Sequence, residues 1–252
     1  VVFGEYNIGI CRIGFAAVLM TAVASAVPNM HALAQTTGAQ TTGAQTTGAQ
    51  SGETKPWKTL SGEEQIRRFY LPRAQAGDAT AQYYLGHMYQ NGLGVKADKQ
   101  AAAEWFGRAA DQDDPRALYR LAVMLQTGDG IPKAPSRALA LYRRAAEQGV
   151  LEAYFNMAQM IERGEGVAAN PSAAEGMFEQ LADAGMTEAM RELGRINARK
   201  QDPDLPAAWF WFAFAAANGD SQAGELARLL AASMSEEDLA AGQTRLGKSL
   251  NN

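Results

Sequence analysis

The strongest constraint on this chain is its own self-similarity. Shifted by 36 residues, the sequence sets Ala81, Ala117, Ala153 and Ala189 in one column and Leu85, Leu121, Met157 and Leu193 in another. Four residues later stand Tyr89, Leu125, Ile161 and, out of character, Asn197. Columns four residues apart mark one stripe of an α-helix, so each unit opens with a helix that presents an apolar stripe. A unit of this length cannot bury that stripe alone and has to stack on its neighbours. The small column Gly86, Ala122, Ala158 and Gly194 lets a second helix approach closely.

Two glycines spaced by one residue follow the first helix in three units: Gly92 and Gly94, Gly128 and Gly130, Gly164 and Gly166. Glycine is needed where a helix ends in the left-handed region. The apolar residue that follows (Val95, Ile131 or Val167) is expected to fold back under the turn. Asp98, Asn170 and Asp204 then occupy the N-cap column of a second helix, with Ala134 the exception, and Pro135 and Pro171 suit its first position. The second helices carry Ala102, Trp105, Phe106, Ala109 and Ala110, matched by Ala138, Leu141, Tyr142, Ala145 and Ala146, and by Ala174, Met177, Phe178, Leu181 and Ala182. Ala208, Trp211, Phe212, Ala215 and Ala216 restore this stripe in the fourth unit after 34 residues rather than 36. That unit has lost both glycines, with Lys200 and Asp202 in their columns.

The array opens with half a repeat, because Phe69, Tyr70 and Ala74 match Trp105, Phe106 and Ala110. Ser61-Gly-Glu-Glu64 is a capping box that starts its helix, and Pro72 is expected to kink or shorten that helix. At the other end Ser235 caps an amphipathic helix through Leu239 and Leu246, which supplies the more polar outer face that a terminal unit needs. The expected fold is an all-α solenoid of helix pairs over residues 61–252: a half repeat at 61–77, repeats at about 78–114, 115–150, 151–186 and 187–219, and terminal helices at 220–252, the last a capping helix.

Leu-Gly-x-x-Tyr-x-x-Gly-x-Gly-Val-x-x-Asp followed by Ala-x-x-Trp-Phe-x-x-Ala-Ala, running from Leu85 to Ala110, resembles the Sel-one-like repeat of the tetratricopeptide class. Four units spanning about Asp78 to Gly219 carry the resemblance, the first best and the fourth weakest. It implies a right-handed α/α superhelix whose first helices line a concave face, and an adaptor or regulator that holds partner proteins. Secreted bacterial members resemble this layout of signal, tether and repeats.

Ile13 to Val27 form an apolar run behind Arg12, followed by Pro28 and by Ala32-Leu33-Ala34. This is the order of a secretory signal, too short for a membrane span of about 20 residues, so residues 1–34 are expected to be a signal peptide cut after Ala34. Thr-Thr-Gly-Ala-Gln then repeats from Thr36, Thr41 and Thr46. Low-complexity polar sequence cannot offset its own ordering entropy, so residues 35–60 read as a disordered tether. The expected location is periplasmic or secreted, with no membrane span after cleavage.

A net charge of −4 disfavours nucleic acid, whose binding needs a basic surface. The signal carries only Glu5 and Arg12, so its removal leaves that charge unchanged. The only cysteine, Cys11, precedes the cleavage point, which rules out internal disulfides and thiolate metal sites in the mature chain. Positions that can face the groove beside the Leu-Gly stripe form two columns: Tyr83, Tyr119, Phe155 and Arg191, then His87, Val123, Gln159 and Arg195. Aromatic rings beside arginine favour binding hot spots; the alternative is that the rings only pack between neighbouring first helices. Met88, Met124 and Met160 form a third column, assigned to packing. His87 is the sole mature histidine, and no serine or acid in a motif converges on it. Gly92-x-Gly94 lacks a following Gly-Lys-Ser/Thr, so it reads as a turn rather than a phosphate loop. No cofactor is expected. The leading function is therefore a non-catalytic envelope adaptor binding a partner peptide or helix in the groove. The alternative is a protein that binds or hydrolyses cell wall or β-lactam, resting on carboxylates such as Glu188 and Glu192 and without the paired cysteines that the resemblance associates with penicillin binding.

Overall fold

The computed structural model describes residues 61–250, without the side chain of Arg67; the expected signal peptide and tether lie outside the described residues. The Glu64 amide donates to Ser61 Oγ at 3.2 Å and caps the opening helix. That helix runs through α1 (Gly62–Gln65), a π-helical turn (Ile66–Tyr70) and α2 (Leu71–Gln75) without a break. Pro72 is accommodated by widening the helix ahead of it. The Leu71 amide reaches back five residues to the Ile66 carbonyl, which eases the clash between a proline ring and the carbonyl four residues before it.

Four helix pairs follow: α3 (Ala79–Asn91) with α4 (Lys99–Ala110), α5 (Pro115–Thr127) with α6 (Pro135–Glu147), α7 (Leu151–Arg163) with α8 (Pro171–Asp183), and α9 (Thr187–Arg199) with α10 (Leu205–Ala217). After α11 (Ser221–Ala231), α12 (Glu236–Leu250) is capped by Ser235 through the Asp238 amide and folds back on α10. Consecutive helices pack on one another through the array, the contact pattern of a solenoid. Asp98, Asn170 and Asp204 each accept an amide hydrogen bond from three residues on, at 3.0, 3.1 and 2.9 Å, while Ala134 caps nothing with its side chain. Asp78, Asp114 and Asp220 do the same for first helices, where Val150 and Met186 cannot.

The paired glycines divide their work. Gly92, Gly128 and Gly164 end α3, α5 and α7 at φ of 68°, 77° and 73°, as helix-ending glycines should. Gly94, Gly130 and Gly166 also have positive φ, but each rests on the start of a helix in the preceding unit. A Cβ at Gly166 would stand 2.6 Å from the backbone of Pro135 and Ser136; Gly130 abuts Lys99, and Gly94 abuts Gly62. Ser136 Oγ donates to the Gly166 carbonyl at 3.0 Å across the same junction. In the fourth unit a side chain takes over this role: Lys200 Nζ donates to Glu175 in α8 at 2.9 Å and to Asn197 Oδ1 at 3.0 Å. Asn197 Nδ2 in turn donates to the Leu193 carbonyl. The odd asparagine and the missing glycines are thus one compensated change.

Leu85, Phe106, Leu118, Tyr142, Phe178 and Leu193 are fully buried. Gly86 lies so close to α4 that a Cβ there would be 2.6 Å from the Phe106 ring, and Gly194 faces Phe212 likewise. Of the methionine column, Met124 and Met160 are buried completely, while Met88 is half-buried and packs against the core. Val95 and Ile131 pack against the core, but Val167 is 42% exposed and does not fold back under its turn.

Candidate partner-binding face

Position 83 of α3 and its equivalents in α5 and α7 place three rings at one edge of the first-helix face. Each ring leans on the second helix of its own unit, and Tyr83 also lies beneath Arg116 of the next first helix. Tyr83 meets Phe106 at 5.7 Å between centroids, Tyr119 meets Tyr142 at 6.0 Å, and Phe155 meets Phe178 at 5.5 Å, edge to face. All three remain half-buried. In the second column His87, Val123 and Gln159 are likewise half-buried and Arg195 is exposed, with its guanidinium 3.3 Å from Glu192. Arg191 occupies the ring column in α9, but Asp220 engages it at 2.5 Å, and the two side chains are only 20% and 7% exposed.

Position 84 escaped the sequence reading. Tyr84 is 40% exposed, lies 5.5 Å from Tyr83 and 5.7 Å from Tyr70, and together with Tyr83 sits beneath the Arg116 guanidinium. Arg116 is held by Asp114, whose hydrogen bond raises its pKa further. The signal was present in the column mates of Tyr84: Arg120, Asn156 and Glu192 are polar, the mark of an open position.

Tyr142 carries the one hydroxyl in its column. It donates to Gln126 Oε1 at 2.8 Å and accepts from Asn156 Nδ2 at 3.2 Å, while Gln126 Nε2 donates to Glu165 at 3.1 Å. These bonds tie the second unit to the third, and burial pushes the Tyr142 hydroxyl pKa up. Around His87 the geometry offers no relay. Its backbone carbonyl accepts from Asn91, and no side-chain hydrogen bond reaches its ring among the described residues. Among these residues no group of three His, Cys, Asp or Glu is placed to hold a metal ion, and no helix is long and apolar enough to cross a membrane. An open cleft of about 280 Å³, lined by Gln65, Phe69, Tyr70 and Arg73, belongs to the opening half repeat. What the arrangement offers is shape and fixed ring edges.

The Sel1 repeat matches the sequence over residues 79–114, 115–150, 151–186 and 187–220. The Sel1 repeat protein from Oxalobacter formigenes is similar in structure, with a TM-score of 0.58 and 27% identity over 69% of this chain and 70% of that one. A protective antigen of uropathogenic Escherichia coli strains, with an SLR fold, has a TM-score of 0.46 and 22% identity over 74% of this chain and 48% of its own. An immunity protein from Pseudomonas aeruginosa has a TM-score of 0.41 and 21% identity over 66% and 62%. No curated protein matches the chain. The family match runs without a gap from residue 79 to residue 220, more than half of the 252 residues, and its units coincide with the four helix pairs. By repeat, fold and neighbour alike, the chain belongs to the Sel1 repeat family.

Proposed function

We propose that this chain is a non-catalytic adaptor of the cell envelope, exported by residues 1–34, spaced from its surroundings by residues 35–60, and holding a peptide or helix of a partner protein on the face of its first helices. Sel1 repeat solenoids generally mediate protein–protein interaction and are generally non-catalytic scaffolds. The observation that carries the reading is the ladder of Tyr83, Tyr119 and Phe155, three rings at one position of successive first helices, each fixed from behind and half-open in front. Rings already immobilised by packing lose little side-chain entropy when a partner covers them.

The test separates binding from folding. His87→Glu with Gln159→Glu alters the second column and leaves the ring contacts alone. Crosslinking in intact cells followed by mass spectrometry should show a partner captured by the wild type and lost by the double variant, with the melting transition unchanged. Undiminished capture by the variant would place the binding surface elsewhere. N-terminal sequencing of the exported protein should begin at Gln35; retention of the apolar run would mean an anchor instead.

A further inference from the structure

The outer face of the second helices changes character in the fourth unit. Glu104, Ala140 and Gly176 share one column of α4, α6 and α8, and Arg108, Arg144 and Gln180 share another; Glu104, Ala140, Arg108 and Gln180 are exposed. The same columns of α10 carry Phe210 and Phe214. Their rings stack at 5.6 Å with 12° between planes, and Trp211 closes on Phe210 at 4.9 Å. Despite its outward column, Phe210 is 3% exposed. α12 contributes to its cover. The Arg245 guanidinium sits 4.4 Å over the Phe210 ring and 5.7 Å from that of Trp211. Gly242 lies so near α10 that a Cβ would stand 2.8 Å from Trp209 Cε3 and 3.1 Å from the Pro206 carbonyl.

The two sides of this contact are unequal. α10 has no charged residue and is apolar all round, whereas α12 fully buries Gly242 alone, with Leu239 and Leu246 half-buried on either side and most other positions exposed. A helix held by so narrow a stripe belongs to the part of a structure that opens first. It is joined to α11 by the short connection Ala232–Ser235. An element with a specific seat and a short hinge is what copies of a chain exchange when they swap.

We propose that the Trp209, Phe210 and Phe214 face of α10 is a helix-docking site whose ligand is α12, bound within one chain in the monomer and supplied by a second copy in a reciprocally exchanged dimer. The occupant follows from fit: glycine at 242 admits the indole, arginine three residues on covers the Phe210 ring, and the flanking leucines complete the stripe. Both arrangements make the same contacts, so protein concentration against the effective concentration of the tethered helix decides between them. This site is on a second helix, apart from the first-helix face, and stands or falls independently of it.

Phe210→Glu gives α10 the residue that α4 carries as Glu104 and spoils the face; Gly242→Val spoils the helix. Full-length chains with different tags are opened in mild urea, returned to buffer separately or mixed, and sized by light scattering. The wild type should yield a dimer whose share grows with concentration, each variant alone should stay monomeric, and the mixture should yield a heterodimer, because one intact α12 then meets one intact face. A wild type that stays monomeric, a mixture without heterodimer, or variants that dimerise like the wild type would each overturn the proposal. If circular dichroism shows either variant unfolded, Phe210→Ser and Gly242→Ala make the same comparison.

Discussion

Gly128 and Gly166 are both glycines at φ of 77° in the turns after first helices, yet the structure assigns them different losses on substitution. The missing Cβ of Gly128 faces the flexible Lys133 side chain, whose Cγ would lie 2.8 Å away and can swing aside. Alanine there meets the left-handed penalty alone, about 1–2 kcal/mol. The missing Cβ of Gly166 faces Pro135 and Ser136 backbone atoms at 2.6 Å, which cannot move without shifting the start of α6. Overpacking of this kind adds about 1–3 kcal/mol, for a total of about 2–5 kcal/mol. Relief requires the turn of the third unit to part from α6, which also breaks the Ser136 to Gly166 hydrogen bond. A solenoid weakened at one junction unfolds in blocks, because each unit is held only by its neighbours. Urea titration followed by circular dichroism should therefore show a lowered midpoint with an unchanged slope for Gly128→Ala. Gly166→Ala should show a larger loss with a shallower or divided transition. Equal losses and equal slopes in the two variants would refute the assignment of the second glycine to the junction.

Tyr142→Phe keeps a ring where Phe106 and Phe178 stand in other units, so it should cost only the hydrogen bonds with Gln126 and Asn156, about 1–3 kcal/mol at neutral pH. Burial raises the hydroxyl above its ordinary 10.0, so the unfolded chain ionises first and the wild type loses stability above that pH. The gap to the variant should narrow there by up to about 1.4 kcal/mol per pH unit, and a constant gap in alkaline denaturation curves would contradict the burial. Asp113 is the non-glycine residue at positive φ among those described, at 59°, and its carboxylate pairs with Arg144 on the surface. Asp113→Gly should lose an exposed ion pair and gain backbone ease, two terms of under about 1 kcal/mol that oppose each other, leaving the melting temperature nearly unchanged. A large fall would mean that the Arg144 contact anchors the turn.

The helix pairs were legible because a repeat writes its core at a fixed period. The alanine column at Ala81 and the leucine column at Leu85 both lie where their spacing places them, in the interior. N-caps and helix-ending glycines are equally local signals, carried by one residue and the amides or φ angle beside it. The second glycine was opaque for the opposite reason. Gly166 touches a residue thirty positions earlier, a contact made by stacking rather than by periodicity within a helix. The rings of the candidate face were found by column, but their partners were not, since Phe106, Tyr142 and Phe178 belong to the core stripe of the other helix. α10 held an unread clue: a helix apolar on every side needs cover on every side, and Phe210 in an outward column called for the α12 that lies on it.

The fourth unit shows why the ladder of rings stops where it does. Phe212 packs against Gly194 as Phe106 packs against Gly86, but position 191 carries an arginine rather than a ring. Its guanidinium reaches past the unit to Asp220, whose carboxylate also accepts the Ala223 amide and so caps α11. A carboxylate at a helix N-terminus with an arginine counter-ion is stabilised twice, by the amides and by the charge. Being largely buried, this pair is sensitive to the loss of either member, since removing one leaves a poorly solvated charge behind. Arg191 therefore fastens α9 to α11, and replacing it would disturb the end of the array as well as any surface nearby. The three rings end at Phe155, and beyond them the chain uses ion pairs, Arg191 with Asp220 and Lys200 with Glu175, where the earlier units use ring packing and glycine contacts.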